Sequence, residues 1–204
     1  MAANLEVDPR AKGLIFDLDG TLVDSMPLHY EAWREVCGKI GYDFTEDFFY
    51  SHAGMSSDKI FAEIRDLIHG NFDPVVLSAE KEKIYESKIR NLTLIEPVFR
   101  IVRENHRKMP MSIGTGSPAG HSWKAMKAVG LDKYFNIVIG MEEIARPKPA
   151  PDVFLKCAER MGIQPEFCQV FEDGDFGIRA ALNAGMIATD IRPYLRDQKE
   201  PKRK

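Results

Sequence analysis

Lys12-Gly13-Leu14-Ile15-Phe16-Asp17-Leu18-Asp19-Gly20-Thr21 is the stretch on which the reading of this chain turns. A short apolar run ends in an acid, a second acid follows two positions later, and Gly20-Thr21 closes it. The pattern predicts a buried strand that runs into a loop. Beyond it, from Ser25 to about Ile89, strand-like runs vanish and helical spacings take over. Trp33, Val36, Cys37 and Ile40 fall at i, i+3, i+4 and i+7, which is one stripe of a helix. Ile60, Phe61, Ile64, Leu67 and Ile68 repeat the stripe, and Val76, Leu77, Glu80 and Ile84 do so with one polar exception. A helical block is therefore inserted after the first strand.

After Pro97 the chain alternates between strand and helix. Met109 to Thr115 reads as a strand, Pro118 to Val129 as a helix stopped by Gly130, and Phe135 to Gly140 as a strand. Pro151 to Met161 reads as a helix that ends at Gly162. A strand at Gln169 to Glu172, a helix at Phe176 to Ala184 closed by Gly185, and a last strand at Met186 to Ile191 complete the pattern. Such alternation predicts an α/β fold, a Rossmann-like parallel-sheet core covered on both faces. The expected domains are a core of residues 12–24 and 92–192, a small helical domain of residues 25–91, and a flexible basic-ended tail of residues 193–204.

Composition agrees. The 204 residues suit one core domain plus a small insertion. The hydrophobic fraction of 44% and charged fraction of 29% exclude disordered, collagen-like and low-complexity classes. A net charge of −3 gives no reason to expect nucleic acid or an anionic membrane as partner. No apolar run approaches the roughly 18 residues of a membrane span. The first ten residues carry Glu6, Asp8 and Arg10 without an apolar run, so no secretory leader is expected. Cys37, Cys157 and Cys168 form no CxxC pair and read as buried small residues of a reducing, cytoplasmic compartment.

Ligands of open parallel sheets bind outside the carboxyl ends of the strands. Three strands here end in polar groups: Asp17-Leu18-Asp19-Gly20-Thr21, Gly114-Thr115-Gly116-Ser117 and Glu172-Asp173-Gly174-Asp175. Lys148 lies in the proline-rich segment Arg146 to Pro151. Four clustered carboxylates repel one another unless a cation joins them. Mg²⁺, which favours carboxylate oxygens, water and phosphate, resolves this. Carboxylates, Mg²⁺, a lysine and hydroxyl donors together make a phosphate site. One carboxylate there can serve as nucleophile, and a second can exchange a proton with the leaving oxygen. Taken singly, the features have plainer readings: an acid pair capping a turn, turn-forming hydroxyls, a solvated lysine. Asp175 reads as a helix N-cap or first-turn acid.

FDLDGTLVDS, GTGS, KPAPDVF and VFEDGDFGIRAALNAGM resemble, in order, the four motifs of the haloacid dehalogenase superfamily. The likeness runs from about Lys12 to Asp190, and the helical block resembles that superfamily's cap domain. Within it the chain is similar to the β-phosphoglucomutase and sugar-phosphate phosphatase group, most of all to the fructose-1-phosphate/6-phosphogluconate phosphatase branch. The resemblance implies Asp17 as nucleophile and Asp19 as general acid/base. It implies Thr115, Gly116, Ser117 and Lys148 around the phosphoryl group. It implies Mg²⁺ held by Asp17, the backbone carbonyl of Asp19 and Asp173, with Glu172 in or next to that shell. The dehalogenases and phosphonate-cleaving members replace the second acid, so Asp19 favours phosphate esters.

In the superfamily the cap domain closes over the core and supplies substrate contacts. His29 matches a histidine at the entry to the cap, and His52 to Ser57 matches a specificity loop. In the mutases that loop carries an arginine for a distal phosphate. Ser57 stands at that position here. Lys81 matches a second cap cation, its plainer reading being a solvated lysine among Glu80, Glu82 and Lys83. Trp33 and Tyr85 read as cap core.

The expectation is a Mg²⁺-dependent phosphatase acting on small sugar phosphates through phospho-Asp17, as a monomer. The alternative is a β-phosphoglucomutase-type phosphotransferase. A receiver-type phospho-acceptor module also clusters acids, Mg²⁺, Thr and Lys, but it lacks the insertion after the first strand.

Overall fold

The structure, a computed structural model, describes residues 4–52 and 55–195. In chain order it runs β1 (Gly13–Phe16), α1 (Met26–Lys39), α2 (Glu46–Ser51), α3 (Ser57–Leu67) and α4 (Pro74–Lys88). It continues with α5 (Glu96–Asn105), β2 (Met111–Gly114), α6 (Ala119–Ala128), β3 (Val138–Ile139), α7 (Asp152–Met161), β4 (Cys168–Glu172), α8 (Asp175–Asn183) and β5 (Ile187–Asp190). Residues up to Asp24 and from Thr93 onward form one compact unit, and Ser25–Leu92 forms a second. No helix among the described residues is long and apolar enough to cross a membrane.

The first unit is built on a five-stranded sheet, every pair parallel, in the order β3-β2-β1-β4-β5. The fold class is the expected α/β, Rossmann-like one. Strands β1, β2 and β4 are buried throughout, which explains their near-continuous apolar runs. Phe16 stacks on Phe171 with ring centroids 5.0 Å apart and meets Phe135 edge-on at 5.7 Å. The chain builds outward from β1 in one direction through β2 and β3, then returns to the other side for β4 and β5. The strand order thus reverses next to β1, and a ligand crevice is expected outside the β1 and β4 carboxyl ends.

Expected and observed elements differ in several places, among them helix α5, which the sequence reading does not include. The strand expected over Phe135 to Gly140 is only Val138–Ile139. It is an edge strand with two register partners, Ile113 and Gly114, and the apolar Phe135 is spent on packing against Phe16 instead of pairing. Helix α8 begins at Asp175, with Gly174 in the N-cap position, so Asp175 is a first-turn acid and not the cap. Of the tail expected from residue 193, residues 193–195 are described, and Arg192–Tyr194 forms a 3-10 turn closed by Tyr194 N–H on Ile191 O at 2.9 Å. Residues 196–204, with the basic end, lie outside the described residues.

The second unit comprises α1 to α4 around Trp33, Val36, Cys37, Phe44, Phe61 and Ile64. Trp33 stacks on Phe44 at 5.0 Å and leans on Phe61 at 4.5 Å, and both Trp33 and Tyr85 are buried, as expected of core. Helix α4 corrects the stripe expected at Val76, Leu77, Glu80 and Ile84. Its buried face is Leu77, Lys81 and Tyr85, while Val75 and Val76 are exposed. Asp73 caps the helix through Val75 N–H at 2.8 Å, and packing against α1 and α3 sets which face turns inward. A lysine thus occupies the place of an apolar residue. All three cysteines are free and buried.

The aromatic stack at the sheet centre gives a direct test. Phe16→Ala removes a fully buried ring with two aromatic partners and should cost about 3–5 kcal/mol of unfolding free energy by denaturant titration.

Candidate active site

Four segments meet at the carboxyl ends of β1, β2 and β4. Asp17 leaves β1 with its N–H still on Phe171 O at 3.0 Å, so sheet pairing fixes its backbone. The chain then turns sharply, with Leu18 O accepting from Thr21, Leu22 and Val23 N–H at 3.3, 3.0 and 3.0 Å. Gly20 is required in this turn. Its φ of +85° suits glycine, and a Cβ there would collide with the Asp173 carboxylate. The Thr21 hydroxyl donates to Asp173 Oδ1 at 2.6 Å, tying the end of β4 to the turn after β1.

Lys148 is the hub. Its ammonium lies 2.7 Å from Asp17 Oδ1 and 2.7 Å from Glu172 Oε2, over the Phe154 ring at 4.8 Å from the centroid. The other oxygen of Glu172 accepts from Asp173 N–H at 3.2 Å and Gly174 N–H at 2.9 Å. Gly177, in the first turn of α8, leaves room for that carboxylate, since a Cβ there would collide with it. On the β2 side, Ser117 N–H donates to Thr115 Oγ1 at 3.0 Å and the Ser117 hydroxyl donates to Asp19 Oδ2 at 3.1 Å. A side chain at Gly116 would meet open space.

Asp17, Asp19, Thr115, Ser117, Lys148, Glu172 and Asp173 are thus brought together. Glu172 is tied as closely to Lys148 as Asp17 is, a link its position in the sequence did not show. Three supporting residues had no assigned role: Thr21, Phe154 and Gly177. Thr21 lies inside the decisive stretch, and a glycine in the first turn of a helix signals a close approach. The place of Phe154 beneath Lys148 follows only from packing.

The charge balance is lopsided. Burial, and after it Glu172, pushes the Asp17 carboxyl well above the ordinary range, while Lys148 opposes the shift. Burial and Glu172 push Asp173 up to about 6. Burial works against the charge of Lys148, yet Asp17 and Glu172 outweigh it and hold the ammonium charged beyond its usual range. One lysine faces three acids. Asp17, Glu172 and Asp173 each present a carboxylate oxygen, all within 4.8 Å of one another. A hard, oxygen-seeking divalent cation fits that donor set.

In the second unit, His29, Ser57 and Lys81 also form one cluster. Lys81 is buried at 3% relative exposure, which corrects its reading as a solvated lysine. Its ammonium donates to His29 Nδ1 at 2.9 Å and to Glu82 Oε1 at 2.8 Å. Tyr85 stacks on His29 at 3.9 Å. The Ser57 hydroxyl donates to Glu82 Oε1 at 3.4 Å, so Glu82, overlooked in the sequence, joins the three. Of the expected loop His52 to Ser57, residues 53 and 54 lie outside the described residues.

The family model for haloacid dehalogenase-like hydrolases matches residues 14–190. The chain belongs to this family. It is a phosphoric monoester hydrolase of that class. Over 183 residues it is 40% identical to the fructose-1-phosphate phosphatase YqaB of Escherichia coli, covering 90% of this chain and 97% of that protein. It is 28% identical to β-phosphoglucomutase of Bacillus subtilis, over 88% of this chain and 83% of that one. Among solved structures, a family IA haloacid dehalogenase hydrolase from Entamoeba histolytica superposes with a TM-score of 0.78 at 26% identity, over 89% and 84% of the two chains.

Two measurements probe this geometry. Between about pH 4 and pH 6 the folded hydrolase holds a proton on Asp173 that the unfolded chain has released, because the folded value of about 6 exceeds the ordinary 3.8. With divalent ions chelated, stability should therefore fall as pH rises through about 6. The melting temperature in EDTA should be higher at about pH 5 than at about pH 7, and Asp173→Asn should reduce that difference. Gly177→Ala should drive the Glu172 carboxylate off its backbone and Lys148 partners. We expect Mg²⁺ binding, read by calorimetry, to weaken roughly tenfold, the equivalent of about 1.4 kcal/mol.

Proposed function

We propose that the protein is a Mg²⁺-dependent phosphatase that hydrolyses small sugar phosphates through an aspartyl-phosphate on Asp17. The observation that carries this reading is the Lys148 bridge between Asp17 and Glu172 at the carboxyl end of a parallel sheet, with Asp19, Thr115 and Ser117 beside it. The likeness to the fructose-1-phosphate phosphatase supports the substrate class.

Asp17, Asp173, Glu172 and the backbone carbonyl of Asp19 would hold the Mg²⁺. When bound, the ion offsets the negative charge of nucleophile and phosphate and so lets the two anions approach. The protein's own groups do the rest. Thr115, Gly116, Ser117 and Lys148 receive the phosphoryl oxygens. Asp17 attacks phosphorus through one carboxylate oxygen. The ester P–O bond breaks, its electron pair goes to the sugar oxygen, and Asp19 gives that oxygen a proton. The alcohol leaves. A water then attacks the phosphorus of phospho-Asp17 and gives its proton to Asp19. The acyl-phosphate bond breaks, which releases inorganic phosphate and restores both carboxyl groups.

The β-phosphoglucomutase reading shares this first half-reaction. Two observations favour hydrolysis. Ser57 offers a hydroxyl where the mutase needs a cation, and the charge of Lys81 is already engaged by Glu82.

The test is a Mg²⁺ assay on fructose-1-phosphate, 6-phosphogluconate and β-glucose-1-phosphate, the last with and without a bisphosphate activator. Free phosphate and isomerised sugar phosphate are read in parallel. We expect phosphate without isomer, no turnover in EDTA, and recovery with added Mg²⁺. Asp17→Asn should reduce turnover to background with an unchanged circular dichroism spectrum. Glucose-6-phosphate from β-glucose-1-phosphate with little free phosphate would establish the mutase instead.

A further inference from the structure

Ser117 is one hold on Asp19: its hydroxyl donates to Asp19 Oδ2 at 3.1 Å. Ser117 is in turn held at its backbone. Its N–H donates to Thr115 Oγ1, and its carbonyl accepts from Met141 N–H at 3.2 Å. Two residues on, Ala119 opens α6. The residue in the N-cap position is Pro118, and its side chain makes no capping hydrogen bond. The acceptor comes from far along the chain instead. Glu142, in the 3-10 turn Met141–Glu143 that follows β3, accepts from Ala119 N–H at 2.9 Å through Oε1 and 3.2 Å through Oε2. Gly140 makes the approach possible, since a Cβ there would collide with the Ala119 nitrogen and the Glu142 carboxylate.

The turn itself is anchored. Glu143 pairs with Arg160 at 2.9 Å, and Arg146, a few residues on, pairs with Asp152 at 2.7 Å. Two ion pairs thus link the segment that carries Lys148 to α7, and Glu142 links the same stretch to the segment with Thr115 and Ser117. An ordinary helix cap sits beside its own helix and stabilises it locally. This one reaches from a different segment and lands two residues from the hydroxyl that holds Asp19.

We propose that Glu142 is a positioning residue for the proton transfer: its carboxylate clamps the start of α6, so that Ser117 holds Asp19 towards the leaving oxygen. The proposal rests on the reading of Asp19 as general acid. It makes a specific demand, because proton donation matters for a poor leaving group and little for a good one. A sugar alkoxide needs the proton, whereas p-nitrophenolate leaves without it.

The experiment compares kcat/KM for fructose-1-phosphate and for p-nitrophenyl phosphate in the native protein, Glu142→Ala, Glu142→Gln and Asp19→Asn. This ratio reports the steps up to loss of the alcohol. General acid–base catalysis contributes about 10²–10⁴-fold, and partial misorientation should lose about tenfold of it. Glu142→Ala should therefore lose about tenfold on the sugar phosphate and less than about twofold on p-nitrophenyl phosphate. Glu142→Gln should recover most of the loss, because its amide oxygen accepts the same N–H. Asp19→Asn should show the same split, larger. An equal loss on both substrates, no loss in Glu142→Ala, or no recovery in Glu142→Gln overturns the proposal while the Asp19 split stands. Absence of the split in Asp19→Asn overturns the general-acid reading itself and this proposal with it.

Discussion

The ammonium of Lys148, set between Asp17 and Glu172, is the contact on which the core site depends. It joins the ends of two adjacent strands that come from opposite ends of the chain. Asp17 and Glu172 are buried and the Lys148 side chain is only 12% exposed, so the bridge is costly to desolvate and gains its strength from being nearly dry. Removing one member of such a bridge typically costs about 3–5 kcal/mol, because a buried charge is left without its partner. The surface pairs of the same unit, Arg10–Asp8 for example, have water on both sides and carry no comparable weight. Stability here is thus tied to a triad that the proposed reaction also needs, and the two demands meet on one lysine.

That triad does not balance. Asp173 is a third acid at the same place, pushed up to about 6 by burial first and by the charge of Glu172 after it. The fold tolerates the excess by crowding the carboxylates with backbone. Glu172 takes two N–H donors from the turn that follows it, and Asp173 takes the Thr21 hydroxyl. Both arrangements need side-chain-free neighbours, Gly177 beside Glu172 and Gly20 beside Asp173. Dipoles and hydroxyls orient the acids without neutralising them. What remains is a preorganised negative cluster with one cation at its rim, a shape of charge suited to a small dication and an anionic oxygen cluster together.

Much of the core was legible in the sequence. The strand–helix alternation and the acids at strand ends follow from local pattern, because buried parallel strands leave continuous apolar runs, whereas the reversal at β1 comes only from the pairing of strands distant in sequence. The failures have physical causes. Strand β3 is short because an edge strand with one neighbour gains little from extra pairing, and Phe135 gains more against Phe16. The α4 stripe was misplaced by one position because apolar side chains are not evidence of burial when Val75 and Val76 lie at a helix start. Lys81 was misread for the converse reason. A charged residue is taken as exposed unless its partners are known, and they come from α1, His29, and from the next residue, Glu82. Glu142 left no local signal at all: it caps a helix from 23 positions away.

The two polar clusters differ in how their charge is closed. Around Lys148 the acids outnumber the cation, so the cluster is incomplete by itself and stands ready for more positive charge. Around Lys81 the cation meets a carboxylate, an imidazole nitrogen and the faces of Trp33 and Tyr85 at 5.7 and 5.6 Å. Because Lys81 donates to His29 Nδ1, the proton of a neutral ring sits on Nε2, which makes that nitrogen a donor. The charge of Lys81 is thus closed within the second unit, and the acid that closes it, Glu82, is adjacent to it in sequence.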